Sequence, residues 1–376
     1  MKLHRPDACP VQEKFHTTRK ELSDALIERE DEIEVVLTAL VAQEHPLLVG
    51  PPGCGKSLLL DSLLAWTGGR KFSILLTKYS VPEELFGPVS VVGLKEDRYT
   101  RITTGRLPEA DFAFVDEVFK ASSAILNTLL KILNERTYDN GDGISRKVPL
   151  QLCLAASNEW PSPETGKELS ALFDRFGLRK TVRPILTAAG RKRLLWERDH
   201  TPKLSTSISP TEMDSAHVNA LALPWSSEGK EALEVILREL AKEGIQPGDR
   251  RQCKAVRIAQ AFAWLHGASR VEPEHLEILQ HVLWDDPGEQ PQKVAQVIAR
   301  IANPVGMRVN QLLLEVEQIL AETEVRNLAQ AATAAAKLGE IDRTLGTLKG
   351  NGRLERARAY VKEQIKRIKL ASIEAI

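Results

Sequence analysis

The sequence predicts an α/β fold in its first half, a parallel sheet with helices on both faces, followed by an all-α remainder. Three observations carry this. Short apolar runs at Leu47–Val49, Phe72–Leu76, Phe112–Val115 and Leu150–Ala156 alternate with helical stretches, the pattern of strands buried on both sides. A glycine-rich loop lies between the first run and the helix after it. After about Pro184 the strand signals stop, and apolar residues recur only at spacings of three and four.

Taken in order, residues Gln12 to Gln43 have helical spacing, with Ile33, Val36, Leu37, Leu40 and Val41 on one face. From Ser122 to Leu133, the positions Ile125, Leu129 and Ile132 mark a helix laid back on the sheet. Two excursions, residues 89–102 and 137–144, read as hairpin-like. The second carries Asn-Gly and Asp-Gly pairs that favour tight turns. Helices are expected near Ala188–Asp199, Ser227–Glu243, Arg250–His266 and Pro273–Leu283, and Asp285–Pro291 is a cluster of breakers. Beyond it Val309, Leu312, Val316, Ile319 and Leu320 share a face. Leu354, Val361, Ile365 and Ile368 do so again after a turn at Lys349–Gly352, which predicts an antiparallel bundle. A chain of 376 residues exceeds one compact domain. The expected division is an αβα core at 1–186, a helical subdomain at 187–286 and a C-terminal helical bundle at 287–376.

The loop Gly50-Pro51-Pro52-Gly53-Cys54-Gly55-Lys56-Ser57 satisfies G-x-x-x-x-G-K-[ST], with Leu58 opening the helix behind it. Gly53 and Gly55 let the backbone curl around phosphates where a Cβ would collide. The freed N–H groups and the helix N-terminus supply a positive field. Lys56 adds a point charge for the β- and γ-phosphates, and Ser57 offers a hydroxyl to Mg²⁺. Downstream, Phe112-Ala113-Phe114-Val115-Asp116-Glu117 is an apolar strand ending in two carboxylates. A parallel sheet delivers such acids to its C-terminal edge, where ligands sit. Asp116 is the expected second holder of Mg²⁺, and Glu117 the group that polarises the attacking water. A strand-end Asp-Glu pair alone reads as a solvated turn; behind a phosphate loop it reads as a nucleoside triphosphatase.

Basic and acidic residues balance at 51 each, so nothing global argues for a nucleic-acid or membrane partner. Cys9, Cys54, Cys153 and Cys253 are scattered without a C-x-x-C pair. That points to reduced thiols and a cytoplasmic protein over a disulfide frame or zinc site. No segment has the length of a membrane span, and Met1–Pro6 lacks the apolar core of a signal peptide.

The order of motifs resembles the MoxR family of AAA+ ATPases and its RavA branch, from about Glu21 to about Trp284. The resemblance rests on Glu28-Arg29-Glu30, the phosphate loop, Pro82–Pro88, Thr104–Ala110, Ala124–Leu130 with Asn134-Glu135-Arg136, and Ala155-Ala156-Ser157-Asn158-Glu159. It implies an ATP/ADP-binding, Mg²⁺-dependent AAA+ core with an all-α lid, assembled as a homo-hexameric ring that remodels or matures protein clients. It also implies an adaptor bearing a von Willebrand A domain. A DNA motor and a chelatase-like subunit are the alternatives within the same superfamily. By resemblance Asn158 is the polar sensor that orients water with Glu117. Arg175, in Leu172–Phe176, is the arginine finger for a neighbour's site, with Arg179 as a second candidate. Without that context Arg175 reads as the partner of a local acid. Arg250 is taken over Arg251 as the lid's sensor arginine, with Asp249 capping its helix, and Ile27 is the residue whose backbone meets adenine. The β-rich module that RavA proteins insert in their C-terminal helical region has no counterpart here.

Overall fold

The computed structural model describes residues 9–160, 172–197, 200–322, 328–348 and 352–373. Two helices open the chain, α1 (Pro10–Ala25) and α2 (Glu30–Ala42). The single helical stretch read from the sequence is therefore broken at 26–29, where Glu28 takes a left-handed φ of 55°. Five parallel strands follow among the described residues: β1 (Pro46–Val49), β2 (Lys71–Leu75), β3 (Phe112–Asp116), β6 (Leu152–Ser157) and β7 (Leu178–Thr181). Their spatial order is β2-β3-β6-β1-β7. Strand β7 has no counterpart among the expected strands. Its sequence Leu178-Arg179-Lys180-Thr181 lacks an apolar run, and pairing with β1 alone makes it a strand.

Burial follows position in the sheet. All residues of β1 and β6 are buried, as are Phe112–Val115, whereas edge strand β2 alternates and exposes Lys71, Ser73 and Leu75. In register, Val49 lies beside Ser157 and Val115 beside Ala155. The loops after β1, β3 and β6 therefore leave the same edge side by side. Helices α3 (Lys56–Trp66) and α6 (Ser123–Glu135) join the core, and α6 turns Ile125, Leu129 and Ile132 inward as expected.

Of the two excursions, the second is the expected hairpin, β4 (Thr137–Asp139) against β5 (Ser145–Lys147), with Gly141 and Gly143 at positive φ. The first is not a hairpin. Val91–Lys95 is a short helix whose N-cap Ser90 Oγ accepts from the Gly93 N–H, closed below by a single Val89–Arg101 bridge. The β-branched Val91-Val92 pair misleads because cap and bridge dictate the backbone. Asn140 joins the two excursions: its side chain accepts from Arg101 N–H at 2.8 Å and donates to Arg101 O at 3.1 Å.

Beyond β7, helix Ala188–Trp196 stays beside the core. The segment 203–208 then runs back across α1, with Thr206 Oγ1 accepting from Trp66 Nε1 at 3.0 Å and Ile208 bridged to Thr67. This brings helices Pro210–Leu221 and Asp249–Leu265 against α2, with the 3₁₀ stretch Pro273–His281 packed on Asp249–Leu265 and helix Ser227–Lys242 packed on that stretch. Helix Gln290–Ala302, counted with the C-terminal bundle in the sequence reading, buries Val294, Val297 and Ile298 in the same core as these lid helices. A second core begins at Val309, where Pro304–Glu322, Leu328–Thr347 and Gly352–Ile373 enclose Leu312, Val316, Leu338, Leu345 and Val361. The turn expected at Lys349–Gly352 lies almost wholly outside the described residues. Among the described residues no helix is long and apolar enough to cross a membrane.

Candidate functional site

The phosphate loop leaves β1 under tight constraint. A Cβ on Gly50 would lie 2.2 Å from the Val182 carbonyl oxygen, so the first loop position admits only glycine. Gly53 and Gly55 both hold φ of +78°, the left-handed region in which a side chain is strained. Pro51 and Pro52 are exposed on the outer rim, while Cys54 is buried. The Cys54 carbonyl accepts from Arg29 Nε at 3.0 Å, and Arg29 also donates to Arg183 O at 2.9 Å and Glu28 O at 2.6 Å. Arg29 thus ties the loop to the α1–α2 connection and to the segment after β7. Only its place in the Glu28-Arg29-Glu30 motif hinted at this role.

Lys56 is buried, and its ammonium donates to Gly50 O at 2.6 Å, Pro51 O at 2.9 Å and Asn158 Oδ1 at 3.0 Å. Burial holds this amine below the usual lysine range, against the attraction of nearby acidic groups including Asp116 and Glu117. Ser57 Oγ donates to Asp116 Oδ2 at 2.9 Å, which puts a hydroxyl and a carboxylate side by side as oxygen donors for a hard cation. Leu58 is partly exposed on the first turn of α3.

Glu117 follows β3 with φ 54° and ψ 43°, a left-handed backbone that costs a non-glycine residue on the order of 1 kcal/mol or more. The consequence is visible in its contacts. Buried Glu117 turns its carboxylate onto Asn158, accepting from Asn158 Nδ2 through Oε1 and from the Asn158 N–H at 3.4 Å through Oε2. Lys120 Nζ lies 3.5 Å from the same carboxylate. Asn158 therefore bridges Lys56 and Glu117, placing the expected phosphate-binding cation and the expected base on one amide.

Ile27 is buried beside Glu28 and Arg29, which line a cleft of about 480 Å³ together with Thr181, Arg183, Pro184 and Trp284. The Glu28 carboxylate accepts from Thr187 Oγ1 and from the N–H groups of Leu186 and Thr187. These bonds, the Thr187 hydroxyl first, hold it below the usual carboxylate range.

The four candidate arginines have different surroundings. Arg175 is about one quarter exposed and pairs with its neighbour Asp174 at 3.0 Å. Arg179, the second finger candidate, is fully buried, with its guanidinium between Phe173 and Trp284 and donating to Val282 O. It cannot reach another subunit. Arg250 is exposed and donates to Asn134 Oδ1 at 2.9 Å. The residue before Asn134 is bound through its carbonyl to His45, which precedes β1, so this contact lies at the edge of the sheet opposite the phosphate loop. Arg250 accordingly does not face the loop of its own chain. Arg251 is buried and paired with Asp174 and Asp285. Asp249 is the first residue of its helix and Gly248 the cap, so the expected side-chain cap is absent.

Comparison with known proteins agrees with this geometry. A family model described as the MoxR domain in the MoxR-vWA-beta-propeller ternary systems matches residues 13–218, and an AAA lid domain matches residues 230–298. An uncharacterized protein of Methanocaldococcus jannaschii is 40% identical over 287 residues, covering 76% of this chain and 75% of that protein. Chaperone MoxR1 of Mycobacterium tuberculosis is 25% identical over 157 residues, 39% of this chain and 40% of that one. A crystal structure from Cytophaga hutchinsonii, described only as an ATPase candidate, superposes with a TM-score of 0.61 at 17% identity, over 78% of this chain and 95% of that one, which shows a shared fold. With a phosphate loop, a paired-acid strand end and a helical lid in that order, the chain belongs to the MoxR family of AAA+ ATPases.

Proposed function

We propose that this chain is a Mg²⁺-dependent ATPase that assembles into a homo-hexameric ring and couples ATP hydrolysis to remodelling of partner proteins in the cytoplasm. The observation that carries the reading is the Lys56–Asn158–Glu117 bridge beside the Ser57–Asp116 pair. ATP phosphates would draw the Lys56 ammonium from the Gly50 and Pro51 carbonyls, and the amide of Asn158 would then hold Glu117 toward the γ-phosphate. Glu117 accepts a proton from the attacking water. Ser57 and Asp116 would hold Mg²⁺, whose charge when bound offsets that of the phosphate oxygens. Arg175, partly exposed at the end of the helical segment 172–175 outside the sheet, would supply charge to the neighbouring subunit's site, and Arg250 would face a neighbour rather than its own loop.

The partner class rests on the family description, which names von Willebrand A and β-propeller companions. It also rests on exposed Val91, Val92, Leu94 and Ile144 on the two excursions that Asn140 links. A client or von Willebrand A adaptor would dock there. The test is phosphate release with Mg²⁺ and after chelation, together with light scattering in ADP and ATP. Magnesium-dependent turnover with an ATP-stabilised multimer is expected; a monomer that hydrolyses ATP at full rate would refute the ring.

A further inference from the structure

Four aromatic rings meet at the boundary between the sheet edge and the lid. Phe173 lies 5.8 Å from Trp160, 5.9 Å from Trp284 and 6.4 Å from Phe119 between ring centroids, and Trp160 stands edge-on to Trp284 at 5.5 Å. The placement along the chain is systematic. Phe119 is two residues after Glu117, Trp160 two after Asn158, and Phe173 two before Arg175. Trp284 follows the last 3₁₀ stretch of the lid. The segments that carry Glu117, Asn158 and Arg175, and the lid, therefore each contribute one ring to a single cluster.

Arg179 clamps it. Its guanidinium carbon is 4.5 Å from the centre of Phe173 and 4.3 Å from that of Trp284, and its NH2 donates to the carbonyls of Val282 and Trp284. The residue is fully buried, and among the described residues its Nε and NH1 have no hydrogen-bond partner. The two ring faces take the place of those partners. A second tie runs alongside: Asp174 accepts from Arg175 on one oxygen and from lid Arg251 on the other, and Arg251 is also paired with Asp285 at 2.9 Å.

We propose that the Phe119, Trp160, Phe173 and Trp284 cluster, clamped by Arg179, is a positioning device that sets Arg175 according to the arrangement of Glu117 and Asn158 and of the lid. The inference rests on the reading of Arg175 as the group acting on a neighbouring subunit, and it adds how that group is aimed. Interlocked rings move together because close packing leaves few alternative arrangements. A small shift at Asn158 or in the lid therefore reaches the helical segment that carries Arg175. Phe119, Trp160 and Phe173 lie outside both the phosphate loop and the lining of the cleft next to Ile27, so loosening the cluster from their side acts on turnover and leaves nucleotide affinity alone.

The test uses the full chain in its assembled form, with Phe173→Leu (no flat face for Arg179) and Phe173→Tyr (face retained), because Phe173 is not among the residues lining the cleft next to Ile27. Each is combined with Arg175→Ala, and affinity for a fluorescent ATP analogue, KM and single-turnover rate are measured. Phe173→Leu should keep affinity and KM within about twofold and lose about tenfold or more in rate, roughly one transition-state decade. Phe173→Tyr should keep most of the rate. The double variant Phe173→Leu/Arg175→Ala should be no slower than Arg175→Ala alone, because both changes remove the same contribution. If Phe173→Leu does not fold, Trp160→Leu tests the cluster from the Asn158 side with the same double variant. A parental rate in Phe173→Leu, or losses that multiply in full with Arg175→Ala, would overturn the inference while leaving the role of Arg175 intact. A parental rate in Arg175→Ala would overturn both.

Discussion

Glu117→Gln isolates the proposed base. The carboxylate is buried, meets Asn158 through both oxygens and has Lys120 at 3.5 Å. Glutamine keeps one oxygen for the Asn158 amide and the same shape. Lys120 is partly exposed and can be solvated when its partner loses charge, so folding stability should change by about 1 kcal/mol or less. The Ser57–Asp116 and Lys56 contacts do not pass through Glu117, so affinity for ATP should persist. Turnover should not. General-base catalysis is worth about 10²–10⁴ in rate, or about 2.7–5.4 kcal/mol of barrier. Titration with a fluorescent ATP analogue, phosphate release and a thermal melt on the same preparation separate these quantities. A variant that releases phosphate within about threefold of the parental rate would show that Glu117 is not the base. A variant that loses ATP affinity would show that the carboxylate serves binding.

Lys56→Ala should instead weaken ATP affinity by about tenfold or more, since a buried point charge and three hydrogen bonds leave together; unchanged affinity in the same titration would exclude the phosphate role. Mixing Arg175→Ala with Glu117→Gln should restore part of the activity that each lacks, because some interfaces pair an intact Glu117 with an intact Arg175; co-assembled rings without recovery would leave Arg175 as the partner of Asp174 alone. His45 is buried between β1 and β6, accepting from the Cys153 N–H at 3.1 Å, and burial, then the charges of Arg136 and Lys254, push its pKa well below 6.5. The unfolded chain therefore binds that proton first, and this part of the stability is complete above about pH 6.5 and lost as pH falls below it. His45→Asn should flatten the decline of Tm between pH 7 and 5, and an unchanged slope would assign the decline elsewhere. Cys253 is exposed and Cys54 buried, so maleimide should label Cys253 first and Cys54 slowly, and more slowly still with ATP; rapid, ATP-insensitive labelling of Cys54 would contradict its place in the loop.

The phosphate loop, the paired acids and the α/β alternation were legible in the sequence because each is local. Glycine spacing, an apolar run and a terminal acid pair express backbone geometry within a few residues, and β1, β3 and β6 appear where those signals stand. The strand order β2-β3-β6-β1-β7 was not legible, nor was the strand at Leu178–Thr181, whose residues become a strand only by pairing with β1. Long-range packing also decided the arginines. Arg175, Arg179, Arg250 and Arg251 are alike as sequence, but one sits between two aromatic rings, one joins Asp174 to Asp285, one meets Asn134 at the far edge of the sheet and one remains partly exposed. The return of residues 203–208 across α1 carries the lid to the face of α2, and with it Trp284 and Asp285, the lid's partners for Arg179 and Arg251. Local chemistry named the loop and the acids, and tertiary packing chose which cations face them, because a side chain's charge is set by its type and its neighbours by the whole fold.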